Sequence, residues 1–399
     1  MRETTCLLAL SLLAVLCPSG CILSDDFVDV EAMTPDGGGG TGGSGGTTTE
    51  GGAGDGAMAE GGIGCLDGAT CTASSVGSGS PRFVVVTKNT PLVALDEPNP
   101  DGGGPGASLR LLDGAVPKVD LSGTSGTYVK PAELTGTTRA LDGRSGLFAW
   151  IAGDQLMGGS VPGFKGGQVA AGRTVALIGP SASAPNSSYF YSVLAEGKVD
   201  ATPSLNPVAS RTIAQSITED GGAVPSLVQA FRPTEPANSV LVVLASDNTL
   251  LTITDDGYCF ACQKTVASLP ESIGALAASD ATLGLFIATG AKIRRAYGLT
   301  ELASGGSVLG EAKGGAAVRA IAPTAGLLYW LQDAPDGSGT RWLVRAPNGL
   351  FQPASAQVVA TGLDADASSV AVADSPTVVY VALPKAGRLL VLSDLPPFM

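Results

Sequence analysis

Histidine is absent from all 399 residues, and with it the side chain that titrates nearest neutrality and most often binds transition metals. Ser-His-Asp, Cys-His and HExxH chemistry are thereby excluded. Charge is scarce as well: 15% of residues are Asp, Glu, Lys or Arg, against about 25% in an ordinary soluble domain. With 23 basic and 36 acidic residues the net charge is −13, a field that repels phosphate backbones, so no nucleic-acid partner is expected. Helical periodicity is also missing. The 56 glycines and 26 prolines interrupt nearly every stretch, and few apolar runs keep a 3.6-residue period over three turns.

Short apolar runs, by contrast, recur along residues 82–399. The clearest are Phe83–Val86, Leu147–Trp150, Tyr189–Tyr191, Val240–Val243, Leu285–Ile287, Leu327–Trp330 and Val378–Val381. Measured at residues 85, 148, 190, 242, 286, 329 and 380, the steps are 63, 42, 52, 44, 43 and 51 residues. A step of about 40–50 residues suits a four-stranded propeller blade. The Gly/Pro-rich run 98–106 accounts for the long first step. In the last repeat, Ser369–Val372, Val378–Ala382 and Leu389–Leu392 are separated by turns at Asp374-Ser375-Pro376 and Pro384–Gly387. The preceding repeat follows the same plan, with Asp336-Gly337 as its hairpin signal. Pro270–Ala278 fits an inner strand better than a brief helix, because it precedes Leu285–Ile287. The expected fold is all-β, a single propeller of seven blades, with six and eight as the other counts that 318 residues admit. Arg82–Val86 is expected to pair into the blade of Leu389–Leu392 and close the ring.

Leu328-Tyr329-Trp330 and the segment Asp374–Leu392 resemble YWTD- and NHL-type propeller repeats, although Leu331-Gln332 stands where Thr-Asp would complete a YWTD motif. Asp336–Trp342 is similar to a loose sialidase Asp-box, which is structural even in that family. These resemblances imply a shape and no activity.

The N-terminus is organised differently. Arg2 precedes an apolar run from Leu7 to Cys17, which is too short to span a membrane as a mature helix and is the pattern of a secretory signal peptide, residues 1–20. Ser19-Gly20-Cys21 resembles the end of a bacterial lipobox, with Pro18 where an aliphatic residue is usual. The resemblance implies diacylglycerol on Cys21 and, with Ile22-Leu23 in place of an inner-membrane Asp signal, an outer-membrane position. Periplasmic or secreted release is the alternative. Residues 21–81 form a Gly-rich linker: fifteen of the 29 residues from Asp36 to Gly64 are glycine, a composition expected to remain disordered. As a coil, the stretch from Cys21 to Cys65 would reach roughly 35 Å. A phosphate-cradling loop would need a flanking strand and helix that this run lacks.

Once Cys6 and Cys17 leave with the signal and Cys21 takes lipid, Cys65, Cys71, Cys259 and Cys262 remain. In an oxidising compartment an even number favours the local disulfides Cys65–Cys71 and Cys259–Cys262. Four thiolates on one zinc ion and a redox CxxC are the alternatives. Tyr329, Trp330, Trp150, Tyr191 and Tyr380 are expected in blade cores. The acidic pairs Asp364/Asp366 and Asp255-Asp256 read as solvated turn residues, with calcium as the alternative. The sequon Asn186-Ser187-Ser188 carries no weight in a bacterial chain. No catalytic residue, cofactor or metal ligand is assigned. The functional expectation is a surface-tethered module that binds an unidentified protein or surface ligand; a histidine-free, calcium-dependent lactonase-like hydrolase is the competing reading, without a Glu-Gly-Pro-type signature to locate it.

Overall fold

The computed structural model describes residues 62–75, 79–98, 105–113, 116–120, 136–161, 165–180, 188–204, 210–217, 225–279, 284–375 and 377–398. The signal, Cys21, residues 22–61 of the linker and the Asn186 sequon lie outside them.

The strands follow the chain in order, with one exception at the start. β1 (Gly64–Cys65) and β2 (Thr70–Ser75) come first but belong to the last two blades. Blade 1 is β3 (Ser80–Thr87), β4 (Thr90–Pro98), β5 (Pro105–Asp113) and β6 (Val116–Asp120). Blade 2 is β7 (Thr138–Arg144), β8 (Leu147–Ala152), β9 (Gln155–Ser160) and β10 (Lys165–Ala170). Blade 3 is β11 (Arg173–Pro180), β12 (Ser188–Leu194), β13 (Val199–Pro203) and β14 (Arg211–Ala214). Blade 4 is β15 (Leu227–Phe231), β16 (Val240–Ser246), β17 (Thr249–Asp255) and β18 (Gln263–Ser268). Blade 5 is β19 (Ile273–Ser279), β20 (Gly284–Thr289), β21 (Lys292–Ala296) and β22 (Ser307–Glu311), with the short helix α1 (Leu299–Ala303) before its last strand. Blade 6 is β23 (Val318–Pro323), β24 (Leu327–Asp333), β25 (Arg341–Pro347) and β26 (Gln357–Leu363), with β1 as a fifth, outer strand. Blade 7 is β27 (Ser369–Asp374), β28 (Thr377–Leu383) and β29 (Arg388–Ser393), completed on the outside by β2.

The chain is a seven-bladed β-propeller. Each innermost strand touches the next around the axis, and β27 returns to β3. Seven apolar clusters fill the interfaces between neighbouring blades, and strand alternation explains how one strand serves two of them. Leu285 and Ile287 of β20 face Leu241 and Val243 of blade 4, while Phe286 and Ala288 face Leu328 and Trp330 of blade 6. A strand buried on both faces reads as a continuous apolar run instead of alternating; every residue of β20 is buried. The closing cluster joins Tyr380, Ala382 and Leu389 of blade 7 to Val84, Val93 and Leu95 of blade 1. Burying each such Val, Leu or Phe contributes about 1.5–3 kcal/mol.

Two sequence expectations are corrected here. Phe83–Val86, counted with the other recurring runs, is the innermost strand of blade 1; β4 is the true counterpart of those runs, and from Val93 the step to Phe148 is 55 residues. The run 98–106 joins β4 to β5, whose pairing ends at Pro98 and Pro105. Ring closure also comes from elsewhere: β2 pairs with β29 from Thr70↔Ser393 to Ser75↔Arg388, whereas Arg82–Val86 pairs with β4. The propeller therefore starts before residue 82, and part of the stretch read as linker is sheet. Ile273–Ser279 is the inner strand expected there, and Asp336-Gly337 turns β24 into β25, with Gly337 at φ 72.

Trp150, Tyr191, Tyr329, Trp330 and Tyr380 are all buried, as expected. Gln332, which breaks the YWTD spelling, is itself fully buried. Its Oε1 accepts from the Trp330 indole at 3.0 Å and its amide donates to the Lys313 carbonyl at 2.7 Å, so a polar side chain in the core satisfies the ring nitrogen beside it.

Candidate functional site: the central channel and the blade 4 loop

Seven innermost strands, all running in one sense along the axis, enclose a channel of about 510 Å³. Its wall is mostly small and aliphatic, with Val85, Ala277, Ala320 and Val372 among the lining residues. Small side chains are what an inner strand must carry where seven backbones converge. Polar groups enter at Thr87, Lys88, Asp142, Arg144, Ser145, Gln229, Arg319, Ser368, Ser369 and Asp374, Arg319 being paired with Asp333 of its own blade. Most of those with hydrogen bonds here use them to tie one blade to another. Ser369 Oγ accepts from Val84 N–H at 2.9 Å and donates to the Val84 carbonyl at 3.2 Å, across the closing interface. Thr87 Oγ1 accepts from Gly146 N–H at 2.7 Å. Arg144 Nη1 reaches from blade 2 past blade 3 to the Ala230 carbonyl of blade 4, at 3.2 Å.

Asp142 points its carboxylate at the next blade, accepting from Ile178 N–H at 2.7 Å. Burial raises its pKa above the ordinary carboxylate value, against the opposing pull of the Ile178 bond and the Arg144 charge. Burial lowers that of Arg144 in turn, with Asp142 opposing. A carboxyl whose folded pKa lies above its unfolded 3.8 makes its full contribution below that value and loses it as pH rises through the folded pKa. Asp142→Asn, which keeps an acceptor for Ile178, is therefore expected to raise the melting temperature at pH 7. The gain should shrink on acidification and vanish below pH 3.8; a gain independent of pH in a melting series would contradict this.

The cysteines form two separate pairs. Cys65 on β1 and Cys71 on β2 are bonded, Cα–Cα 6.6 Å, and tie the outer edge of blade 6 to that of blade 7. Cys259 and Cys262 are bonded, Cα–Cα 5.2 Å, in the loop from β17 to β18. The first pair packs in the cluster between blades 6 and 7 and the second in that between blades 3 and 4, so one zinc ion held by all four thiolates is ruled out.

Of the two acidic pairs, Asp364, Asp366 and Asp256 lie at partly or fully exposed turns as expected, and Asp255 alone departs from that role. Asp364 Oδ2 accepts from Ala386 N–H at 2.8 Å, and so holds a turn of blade 7. Asp255 is not a solvated turn residue: it is 0% exposed, with both carboxylate oxygens 2.5 Å from Arg211 Nη2. The single hydroxyl proton of Tyr191 is shared between Asp255 Oδ2 at 3.2 Å and the Pro180 carbonyl at 3.0 Å. Burial and the Asp255 charge push the Tyr191 pKa well above its usual value, keeping it a donor. Asp256 does behave as a turn residue, its Oδ1 accepting from Tyr258 and Cys259 N–H at 2.8 Å each; those bonds lower its pKa. Arg211, 44 residues from Asp255, is the partner that no local pattern announced.

No protein-family model matches the chain, and no curated protein matches it. Solved structures do match. The Neurospora crassa Pan2 WD40 domain is 9% identical with a TM-score of 0.53, over 84% of this chain and 98% of that one. The Swd1 β-propeller domain from Myceliophteria thermophila is 12% identical, TM-score 0.51, over 80% and 99%. BBS1N, crystallised in complex with ARL6DN, is 14% identical, TM-score 0.50, over 81% and 94%. The likeness is one of fold. At these identities it extends to the ring of blades and not to any residue of a site.

Proposed function

We propose that the chain is an exported, lipid-anchored propeller that acts as a binding or scaffold module in the bacterial envelope. The observation that carries the binding half is the channel wall: small aliphatic residues, with polar side chains largely engaged in joining blades. A divalent-metal hydrolase would need several carboxylate and amide oxygens converging on one ion. Here Asp142 is turned to the Ile178 backbone, while Asp374 stands exposed at the end of β27. Propellers of the same fold are found in complexes with protein partners, BBS1N with ARL6DN among them. The tethered half rests on Ser19-Gly20-Cys21 and the Gly-rich linker, which would hold the rigid head clear of the lipid.

Affinity capture of the full-length protein from detergent-solubilised envelopes tests the reading. Wild type is expected to retain a protein partner, and the charge-inverted channel mouth Lys88→Glu/Asp374→Lys to lose it at unchanged melting temperature. Cys21→Ala should shift the chain from the membrane to the soluble fraction. Equal capture by the inverted mouth would remove the channel face from the binding role, and unchanged fractionation would remove the anchor.

A further inference from the structure

The Cys259–Cys262 loop, at the edge of the core between blades 3 and 4, carries ligating side chains that the channel does not use. We propose that, once its disulfide is reduced, Cys259, Cys262 and Asp255 form a binding site for one divalent cation of the zinc class, with the fourth position open.

Three observations carry this. The first is spacing. One ligand atom from each of the three residues lies within 4.8 Å of the others, and Cys259 Sγ is 3.8 Å from Asp255 Oδ1. A disulfide sulfur has no proton to donate, so that approach is not a hydrogen bond. It is close to an edge of a coordination tetrahedron: metal–sulfur bonds of about 2.3 Å and metal–oxygen bonds of about 2.1 Å put sulfur and oxygen about 3.6 Å apart. Two thiolates on one such ion stand about 3.8 Å apart, an opening that the 5.2 Å Cα–Cα separation accommodates by side-chain rotation.

The second is charge. Two thiolates and a carboxylate bring three negative charges into a half-buried site. Arg211, already on Asp255, supplies one positive charge and a divalent ion supplies the other two, so the assembled site is neutral, as a site of low exposure requires.

The third is support and access. The loop is held by bonds that survive reduction: Asp256 Oδ1 accepts from two of its N–H groups, Cys262 N–H donates to the Ile213 carbonyl at 3.0 Å, and Arg211 Nη1 donates to the Cys259 carbonyl at 2.9 Å. Cys262 is buried, whereas Cys259 is half-buried between Tyr258 and Phe260, 76% and 70% exposed, so reductant and ion approach from solvent. The electron balance is that of thiol–disulfide exchange. A dithiol reductant gives two electrons and two protons to the Cys259–Cys262 bond and becomes a disulfide, and the two new thiols lose their protons to solvent as the ion binds.

Cobalt(II) is a suitable probe, because thiolate ligation gives it intense near-ultraviolet charge-transfer absorption and a tetrahedral site gives it visible bands. Full-length protein reduced with a phosphine, which leaves as phosphine oxide, is expected to develop both, saturating at one cobalt per chain. Unreduced protein, Cys259→Ser and Cys262→Ser should show neither, and Asp255→Asn should weaken binding about tenfold or more. Bands that persist in both serine variants would move the site to other cysteines of the chain and overturn the proposal. So would their absence from reduced wild type that keeps its β-sheet circular dichroism. If Asp255→Asn does not fold, the two serine variants decide alone.

Discussion

Deleting residues 62–75 from the otherwise intact chain is expected to abolish the cooperative melting of the whole propeller. These residues hold β1 and β2, the outer strands of blades 6 and 7, and the Cys65–Cys71 bond between them. Without β2, the ladder from Thr70↔Ser393 to Ser75↔Arg388 is lost, and β29 becomes an edge strand with unpaired N–H and C=O groups. Ile63, Cys65, Cys71 and Ala73 also leave the core between blades 6 and 7. At about 1 kcal/mol per ladder hydrogen bond, with further loss from uncovered apolar surface, the deletion removes on the order of 5 kcal/mol or more, a large share of the stability of a typical domain. Blade 7 joins the ring to blade 1, so damage there spreads to both neighbours. The measurement is a thermal or urea melt followed by circular dichroism; a transition with unchanged midpoint and slope would show that blade 7 closes the ring without β2.

Replacing Arg211 by alanine is expected to cost about 3–5 kcal/mol, the range for removing one partner of a buried ion pair. Asp255 is 0% exposed and the Arg211 side chain 11%, so the carboxylate left behind cannot be rescued by water. Tyr191 and Gly257 would still donate to it, but no cation would remain on it from β14. The double variant Arg211→Met/Asp255→Leu should recover most of the loss, since well-packed apolar side chains commonly replace such a pair without penalty; Tyr191 keeps the Pro180 carbonyl as acceptor. Urea midpoints of the three proteins check both statements. A single variant within about 0.5 kcal/mol of wild type would mean that the pair contributes nothing to the interface between blades 3 and 4.

The parts of this architecture legible in the sequence are those whose burial leaves a continuous apolar trace. Val240–Val243, Leu285–Ile287 and Val378–Val381 sit between two neighbouring blades and carry apolar side chains on both faces. Blade 1 misled for the same reason: Phe83–Val86 is as apolar as Leu92–Leu95, because an inner strand in a tight channel is enclosed as well. The closing strand, Thr70–Ser75, was illegible because an outer strand needs little apolar surface; its side chains are threonine, serine, alanine and cysteine, half-buried or exposed. Its identity depends on a partner more than three hundred residues away, which no local pattern encodes. Asp255 was misread because Asp-Asp-Gly spells a turn wherever it occurs, and only the approach of Arg211 from another blade distinguishes a buried ion pair from a wet corner. The channel fared similarly: the inner strands were recognisable, yet the direction of each polar side chain within them was not.

The order in which the sheets are filled has a consequence for biogenesis. Gly64 meets Thr361 across a sequence separation of 297 residues, and β2 meets β29 near the very end of the chain. Among the described strands these two are made first, and they must therefore wait, unpaired, until nearly all the others have been synthesised. Pairing so remote is slow to nucleate, and a polar, weakly sticky sequence is what keeps such a waiting segment from seizing the wrong edge. The plainness of Thr70–Ser75, which hid it from sequence inspection, is what lets the ring be fastened last.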